Sequence, residues 1–499
     1  MTVDVLVVGA GGSGIPLATR LSEDAGRSVL LLEAGPVPRR IEDVPPEVLD
    51  GGALTAAAPG HPDNWNHPAR LTANRDYGIA RGRIAGGSTS VNGGYFERAR
   101  RSDFDRWTTG GNDAWRFEAM LPLMRRLERD LDFGDQPLHG DSGPIPVRRA
   151  NADHPIAELL RTGAEALGIP WEADKNGEQP SGIGPVPSNV IDGVRHSTAL
   201  AYLLPAIERP GLDVRGDVTV ERVLVEHGVA RGVLARSGGE FVTILADEVV
   251  LSAGAIGTPT LLLRSGIGPA DSLRALGIDV ALDARGVGMS IDDHPQVVLG
   301  WRPGVRPPIP HGSWMGPAVN AALASGGSVE VLASLLPLDS LLGATARDHP
   351  GPLPLLVSVR DRARSVRLNL DSADPVLPPR LEFHYLETVA QREAMREAVR
   401  FAVALVDAAR GELIEPAREV LRDDEALDAW IDAHLGTALH GCGGASFGGD
   451  DPVVDQFGRV LGVEGLRIAD TSILPSAPER GPAATAVLIG EFVADAMRS

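Results

Sequence analysis

The chain reads as an α/β protein in which a Rossmann-like dinucleotide-binding domain is joined to a second domain. Three observations predict this. An apolar run rich in β-branched residues, Val3 to Val8, leads into Gly9-Ala10-Gly11-Gly12-Ser13-Gly14. A second apolar run, Val29 to Leu32, ends on the acid Glu33. At 499 residues the chain is too long for one simple core, so two intimately joined domains are expected.

Each part of the nucleotide end has a physical reason. Val3 to Val8 suits a strand buried on both faces. Gly9 allows a tight turn, Gly11 lets the backbone approach a pyrophosphate, and Gly14 lets helix and strand pack closely. The helix through Leu17, Ala18 and Leu21 would offer its N-terminus, with free N–H groups and about half a positive charge, to the phosphates. Pro16 is tolerated there because a first-turn N–H has no helical partner. Glu33 is placed to accept both ribose hydroxyls, favouring an unphosphorylated adenosine ribose. A glycine-rich turn without a ligand is the plainer alternative, and the motif alone does not separate FAD from NAD.

Composition excludes other classes. Hydrophobic content is 43% and mean hydropathy is −0.02, as in soluble globular proteins. No apolar run reaches the ~18 residues of a transmembrane segment, which leaves only peripheral membrane contact open. The first strand begins at Val3 and leaves no room for a signal peptide; the single cysteine, Cys442, fits a reducing cytoplasm. A net charge of −20 argues against nucleic acid as a partner.

Further along, Arg81-Gly82-Arg83-Ile84-Ala85-Gly86-Gly87-Ser88-Thr89-Ser90-Val91-Asn92-Gly93 resembles the first signature of the glucose–methanol–choline (GMC) flavin oxidoreductases. Gly254 to Gly268 is similar to the second signature, and Gly286 to His294 to a third element with Ser290 in place of asparagine. The resemblance runs from end to end and implies a Rossmann-like FAD-binding domain with a mainly antiparallel-sheet substrate domain. It divides the chain into an FAD-binding domain at 1–45, 75–100, 195–299 and 436–499, a lid at 46–74, and substrate-binding and connecting segments at 101–194 and 300–435. It implies cofactor contacts from Arg81, from the backbone at Gly86, Gly87 and Gly93, from the Ser88 and Asn92 side chains, from the backbone at Val218, and from Asp470 and Pro482. Thr258 is read as a helix cap, and Asp293 and His294 as buried hydrogen-bonding groups. Where some members tether FAD through a histidine, this chain has Ile79, so FAD is expected to be non-covalent.

The resemblance also places His440 at the family's catalytic position. Oxidising an alcohol removes a hydride from carbon and a proton from oxygen; histidine suits the proton transfer because its pKa lies near operating pH. The family's second catalytic side chain, histidine or asparagine, aligns with Gly481, which has none to offer. Arg480, Glu479 and His311 are candidates to hold the substrate oxygen instead, or a wider pocket admits a bulky substrate. Pro482 starts a helix whose positive end would face the flavin. Local wording, including Asn92 to Phe96 and Glu479 to Pro482, resembles the branch associated with mycofactocin, a peptide-derived redox cofactor. The rivals are an alcohol or sugar oxidase that releases hydrogen peroxide, and an FAD-containing lyase. The substrate is thus a small molecule or a peptide-derived carrier, and the electron acceptor stays open.

Overall fold

In the computed structural model, which describes residues 2–305, 307–310, 312–348, 350–360 and 366–498, the apolar runs pair side by side. The first sheet has seven strands. Its parallel part runs Leu212–Arg215, Val29–Leu32, Thr2–Val8 and Glu240–Leu251, with Leu466–Ile468 also parallel to the last. Val229–Ser237 and Val218–Glu226 extend it antiparallel. Register is the consequential feature: Val8 pairs with both Leu32 and Leu251, and Leu251 pairs with Ile468. The strands therefore end level, and the turns at Gly9, Glu33, Ser252 and Ala469 open along one edge, where open α/β sheets bind ligands.

Between these strands Gly14–Leu21 forms a helix with Pro16 in its first turn, and it packs against the C-terminal helix, Ala483–Arg498. The second sheet is entirely antiparallel. Its order is Glu412–Glu415, Pro295–Arg302, Leu353–Arg360, Ser328–Ser334, Met315–Ala322 and Ile183–Pro185, with Gly436–Thr437 also on Pro295–Arg302. The long helix Val389–Ala408 covers it and buries Met395, Val399 and Val406. Two sheets, one mixed and one antiparallel, give the α/β architecture expected.

Some local readings change. Within the segment 46–74, read as a lid, His67–Thr72 forms a strand between Arg75–Ile79 and Arg380–Glu382. The run from Leu466 stays extended only to Ile468, because Asp470 turns the chain by accepting the Ser472 N–H. Thr258 is not a cap. It sits inside the helix Gly254–Arg264, whose N-terminus Asp470 ties down by accepting from the Gly254 N–H (2.9 Å) and the Thr258 hydroxyl (2.6 Å). Gly444 and Phe447, where the family has threonine and methionine, are packing positions: Phe447 stacks on Trp115 at 4.9 Å, and a Cβ at Gly444 would touch Ile291.

Away from the edge, Glu128, Asp130 and His139 come close enough to suggest a metal site. Their charges are already answered. Arg98 pairs with Glu128, and Arg149 bridges Asp130 and Asp174. The His139 imidazole lies 2.9 Å from both Asp130 and Asp174. Burial alone would lower the His139 pKa, but hydrogen bonds to Asp130, Asp174 and Glu128 raise it from 6.5 to about 10. A pKa raised on folding gives stability that is complete below about pH 6.5 and is lost as pH climbs through about 10. Urea unfolding across that window is expected to show a falling midpoint in the wild type and a flatter profile in His139→Gln. Equal slopes would remove His139 as the cause.

Candidate active site

One continuous cavity of about 660 Å³ runs from the level strand ends to the antiparallel sheet. Of the residues expected to hold the cofactor, Gly9, Gly11, Gly12, Ser13, Glu33, Arg81, Gly87, Ser88, Asn92, Gly93, Val218, Asp470 and Pro482 line it, with Gly93 against Trp314. Glu33 is buried, and each of its oxygens accepts one backbone N–H, from Ala10 (3.0 Å) and Gly35 (2.9 Å). A carboxylate oxygen has a second lone pair, so both remain able to accept a hydroxyl. Gly14 is not at the wall. A Cβ there would lie 2.0 Å from the Gly9 carbonyl oxygen, so it serves the close helix–strand approach. Gly86 is also off the wall, because its amide is spent on the Ala10 carbonyl at 2.7 Å. Asp470 reaches the wall, but its carboxylate holds Gly254, Thr258 and Ser472, so it braces the crevice.

His440 stands at the other end of this crevice. The buried Asp293 carboxylate fixes its loop, accepting from the N–H groups of His440 (2.7 Å) and His294 (2.8 Å) and from the Thr437 hydroxyl (2.8 Å). Nδ1 of the imidazole lies 2.9 Å from the Arg360 guanidinium and 3.2 Å from His294 Nδ1. Burial, then the positive charge of Arg360, lower its pKa from 6.5 to about 3 against the pull of Glu330. His440 is therefore neutral at ordinary pH and can take a proton without first losing one. Arg81, half-buried beside it, lines the cavity as well.

Gly481 lies beside His440: a Cβ there would be 3.2 Å from His440 Nε2. The alignment that places Gly481 opposite the catalytic histidine thus has a spatial counterpart. The space is not vacant, however. The same Cβ would meet the Tyr95 ring at 2.9 and 3.1 Å, so an aromatic side chain from another segment closes the gap left by glycine. The expectation of a pocket widened at Gly481 is corrected accordingly.

The substitutes proposed from sequence do not supply the missing group. Arg480 points away from the cavity into a buried network, 3.2 Å from Glu97 and 2.7 Å from Glu172. Glu479 pairs with Arg106 at 3.5 Å and does not line the cavity. His311 lies outside the described residues. Sequence reasoning missed Tyr95, Glu330 and Arg360. Arg360 bonds Glu330 at 2.6 Å, and the Tyr95 hydroxyl donates towards Glu97 (2.6 Å) and Glu330 (2.8 Å). The available signal was a glutamate inside the apolar run Ser328–Ser334, since such a group, once buried, must find a partner.

Comparison with known proteins gives these features a family. The N-terminal GMC oxidoreductase profile matches residues 4–296 and the C-terminal one matches 362–490. The chain belongs to the GMC oxidoreductase family. An uncharacterized GMC-type oxidoreductase of Rhodococcus erythropolis is 39% identical, over 98% of this chain and 97% of the relative. An oxygen-dependent choline dehydrogenase of Rhizobium rhizogenes is 32% identical, over 99% of this chain and 95% of the relative. Among solved structures, pyridoxine 4-oxidase from Mesorbium loti superposes with a TM-score of 0.89 at 26% identity, covering 100% of this chain and 99% of that one.

This GMC oxidoreductase is thus an FAD-dependent oxidoreductase, and its residues fit the cofactor. Backbone at Gly11 and Gly87 approaches so closely that a Cβ at Gly87 would lie 2.8 Å from the Gly11 Cα, leaving room only for a cradle of main chain. Pro482, Ala483 and Ala486 bring the start of the C-terminal helix to the wall. The Pro482 carbonyl accepts the Ala486 N–H, which makes this proline the residue before the helix rather than its first.

Two outcomes follow from the geometry. Glu33→Ala removes the ribose acceptors and strands two buried N–H groups, so purified protein is expected to lose FAD on dilution at least about tenfold more readily; a flavin content equal to wild type would refute the assignment. Gly481→Ala pushes Tyr95 and His440 apart and is expected to lower kcat/KM by about 10²-fold with FAD retained. Undiminished kcat/KM would mean that the ring moves aside freely.

Proposed function

We propose that the protein oxidises the CH–OH group of an alcohol, with His440 as the base that takes the hydroxyl proton. When bound, FAD supplies the acceptor for the hydride that leaves the substrate carbon. Everything else is the work of the chain. The observation that carries the reading is the setting of His440: a neutral imidazole, fixed by Asp293 through its backbone, at the end of the cavity whose other end carries the dinucleotide elements. As the proton arrives, Glu330 behind Arg360 offsets part of the charge that gathers on the imidazole.

Relatives named choline dehydrogenase and pyridoxine 4-oxidase support an alcohol-type donor. We further propose that FAD is held without a covalent bond, since the position used for tethering is the buried aliphatic Ile79. The single cysteine supports a cytoplasmic setting. Mycofactocin as the donor rests on the likeness of local sequence; closure of the Gly481 gap by Tyr95 takes away the argument that a large carrier needs that space.

The deciding experiment is an anaerobic flavin spectrum before and after alcohols, sugars and reduced mycofactocin. Loss of the yellow absorbance identifies the donor class, and peroxide release in air separates oxidase from dehydrogenase. His440→Ala is expected to retain FAD while slowing reduction by about 10²–10⁴-fold. A protein that stays yellow with every donor yet bleaches with dithionite would count against alcohol oxidation and favour the lyase reading. Acid precipitation is expected to release FAD into the supernatant; a yellow pellet would show a covalent link.

A further inference from the structure

We infer that this enzyme takes an uncharged, largely apolar alcohol and discriminates against a cationic alcohol of the same shape. The inference rests on the alcohol-oxidation reading and concerns what surrounds the substrate beyond its hydroxyl.

On the side of the antiparallel sheet the cavity is lined by Leu54, Trp314, Met315, Leu332 and Leu356, with the neutral Gln296 and Thr437 as further polar groups beside Glu330. Among the described residues, three carboxylates line the whole cavity: Glu33, Asp470 and Glu330. The first two are at the nucleotide end. Glu330, the one near His440, is not free. One oxygen holds the Arg360 guanidinium at 2.6 Å, and the other accepts from the Tyr95 hydroxyl (2.8 Å) and the Asn320 amide (3.1 Å). The same guanidinium lies 2.9 Å from His440 Nδ1, one imidazole ring from where the substrate oxygen must sit.

A cation entering this end meets a fixed positive charge and no unpaired negative one. Removing it from water is then uncompensated. Aromatic faces could in principle substitute for a carboxylate. Here Trp65 is already stacked on His67 (5.8 Å) and carries the Arg83 guanidinium over its ring (5.2 Å). The Tyr95 ring is wedged against Gly481. Trp314 presents a buried Nε1–H with no hydrogen-bond partner among the described residues, a donor suited to oxygen and of no use to an ammonium group.

Choline and its neutral carbon isostere, in which a tert-butyl group replaces trimethylammonium, make the cleanest probe pair. Each is titrated anaerobically into the FAD-loaded enzyme, with perturbation of flavin absorbance reporting binding and bleaching reporting reduction. The isostere is expected to bind at least about tenfold more tightly. Choline binding as well or better, or no perturbation by the isostere up to its solubility limit, would overturn the inference. Bleaching tests the alcohol-oxidation reading separately, and the two affinities decide the preference whether or not either alcohol is oxidised. Arg360→Leu, checked for folding by thermal unfolding, frees the Glu330 carboxylate and is expected to shift the ratio of affinities towards choline. An unchanged ratio in folded Arg360→Leu would rule out the charge argument, and the wild-type pair remains decisive if that variant does not fold.

Discussion

Everything at this active site depends on strands that stop together. Val8, Leu32, Leu251 and Ile468 are linked by parallel pairing in one register, so four turns leave the sheet at the same level. A slip of one residue in any of them would swap its side chains between the two packed faces of the sheet and put its turn out of level. The level edge brings segments separated by hundreds of residues into one crevice. Asp470 then locks it, since a single carboxylate joins the last of these strands to the start of the Gly254–Arg264 helix. The family's second signature is in this respect a structural device.

The second sheet supplies the other half by a different means. Its antiparallel strands bring Met315, Leu332 and Leu356 to the crevice together with Gln296, Glu330 and Thr437, and Glu330 forms a buried pair with Arg360 behind the wall. Burying such a pair is costly unless its geometry is good, and removing one partner alone is worse. Here both charges are paired: Arg360 spans Glu330, His294 and His440, and Glu330 spans Arg360, Tyr95 and Asn320. Burial and the Arg360 charge keep His440 neutral, and the pairing leaves the substrate end without an available anion. Arg480, Glu97, Glu172 and Lys175 continue the network behind Tyr95 and hold that ring against Gly481.

How much of this was legible depended on the range of the interactions. Val3 to Val8 with Gly9, Gly11 and Gly14, and Val29 to Leu32 with Glu33, are local patterns of burial and turn geometry, and they appear where expected. His440 was recognisable because family likeness carries position. Arg480 was misread because nothing in Glu479-Arg480-Gly481-Pro482 tells that Glu97 and Glu172 wait behind it, far away in the chain. Gly86 was misread for the opposite reason: a glycine beside a ligand-binding glycine looks equivalent until its amide is seen to bond Ala10.

By itself the sequence determined the α/β class and the dinucleotide start, and it singled out the histidine proposed here as the base. These rest on residues near one another or on a pattern shared across a family. Only the tertiary structure decided what faces that histidine. Whether Gly481 leaves a gap, whether Glu330 is free and where Arg360 points are questions of which side chains meet across two sheets. Their answers depend on packing and charge pairing between segments that no local pattern connects.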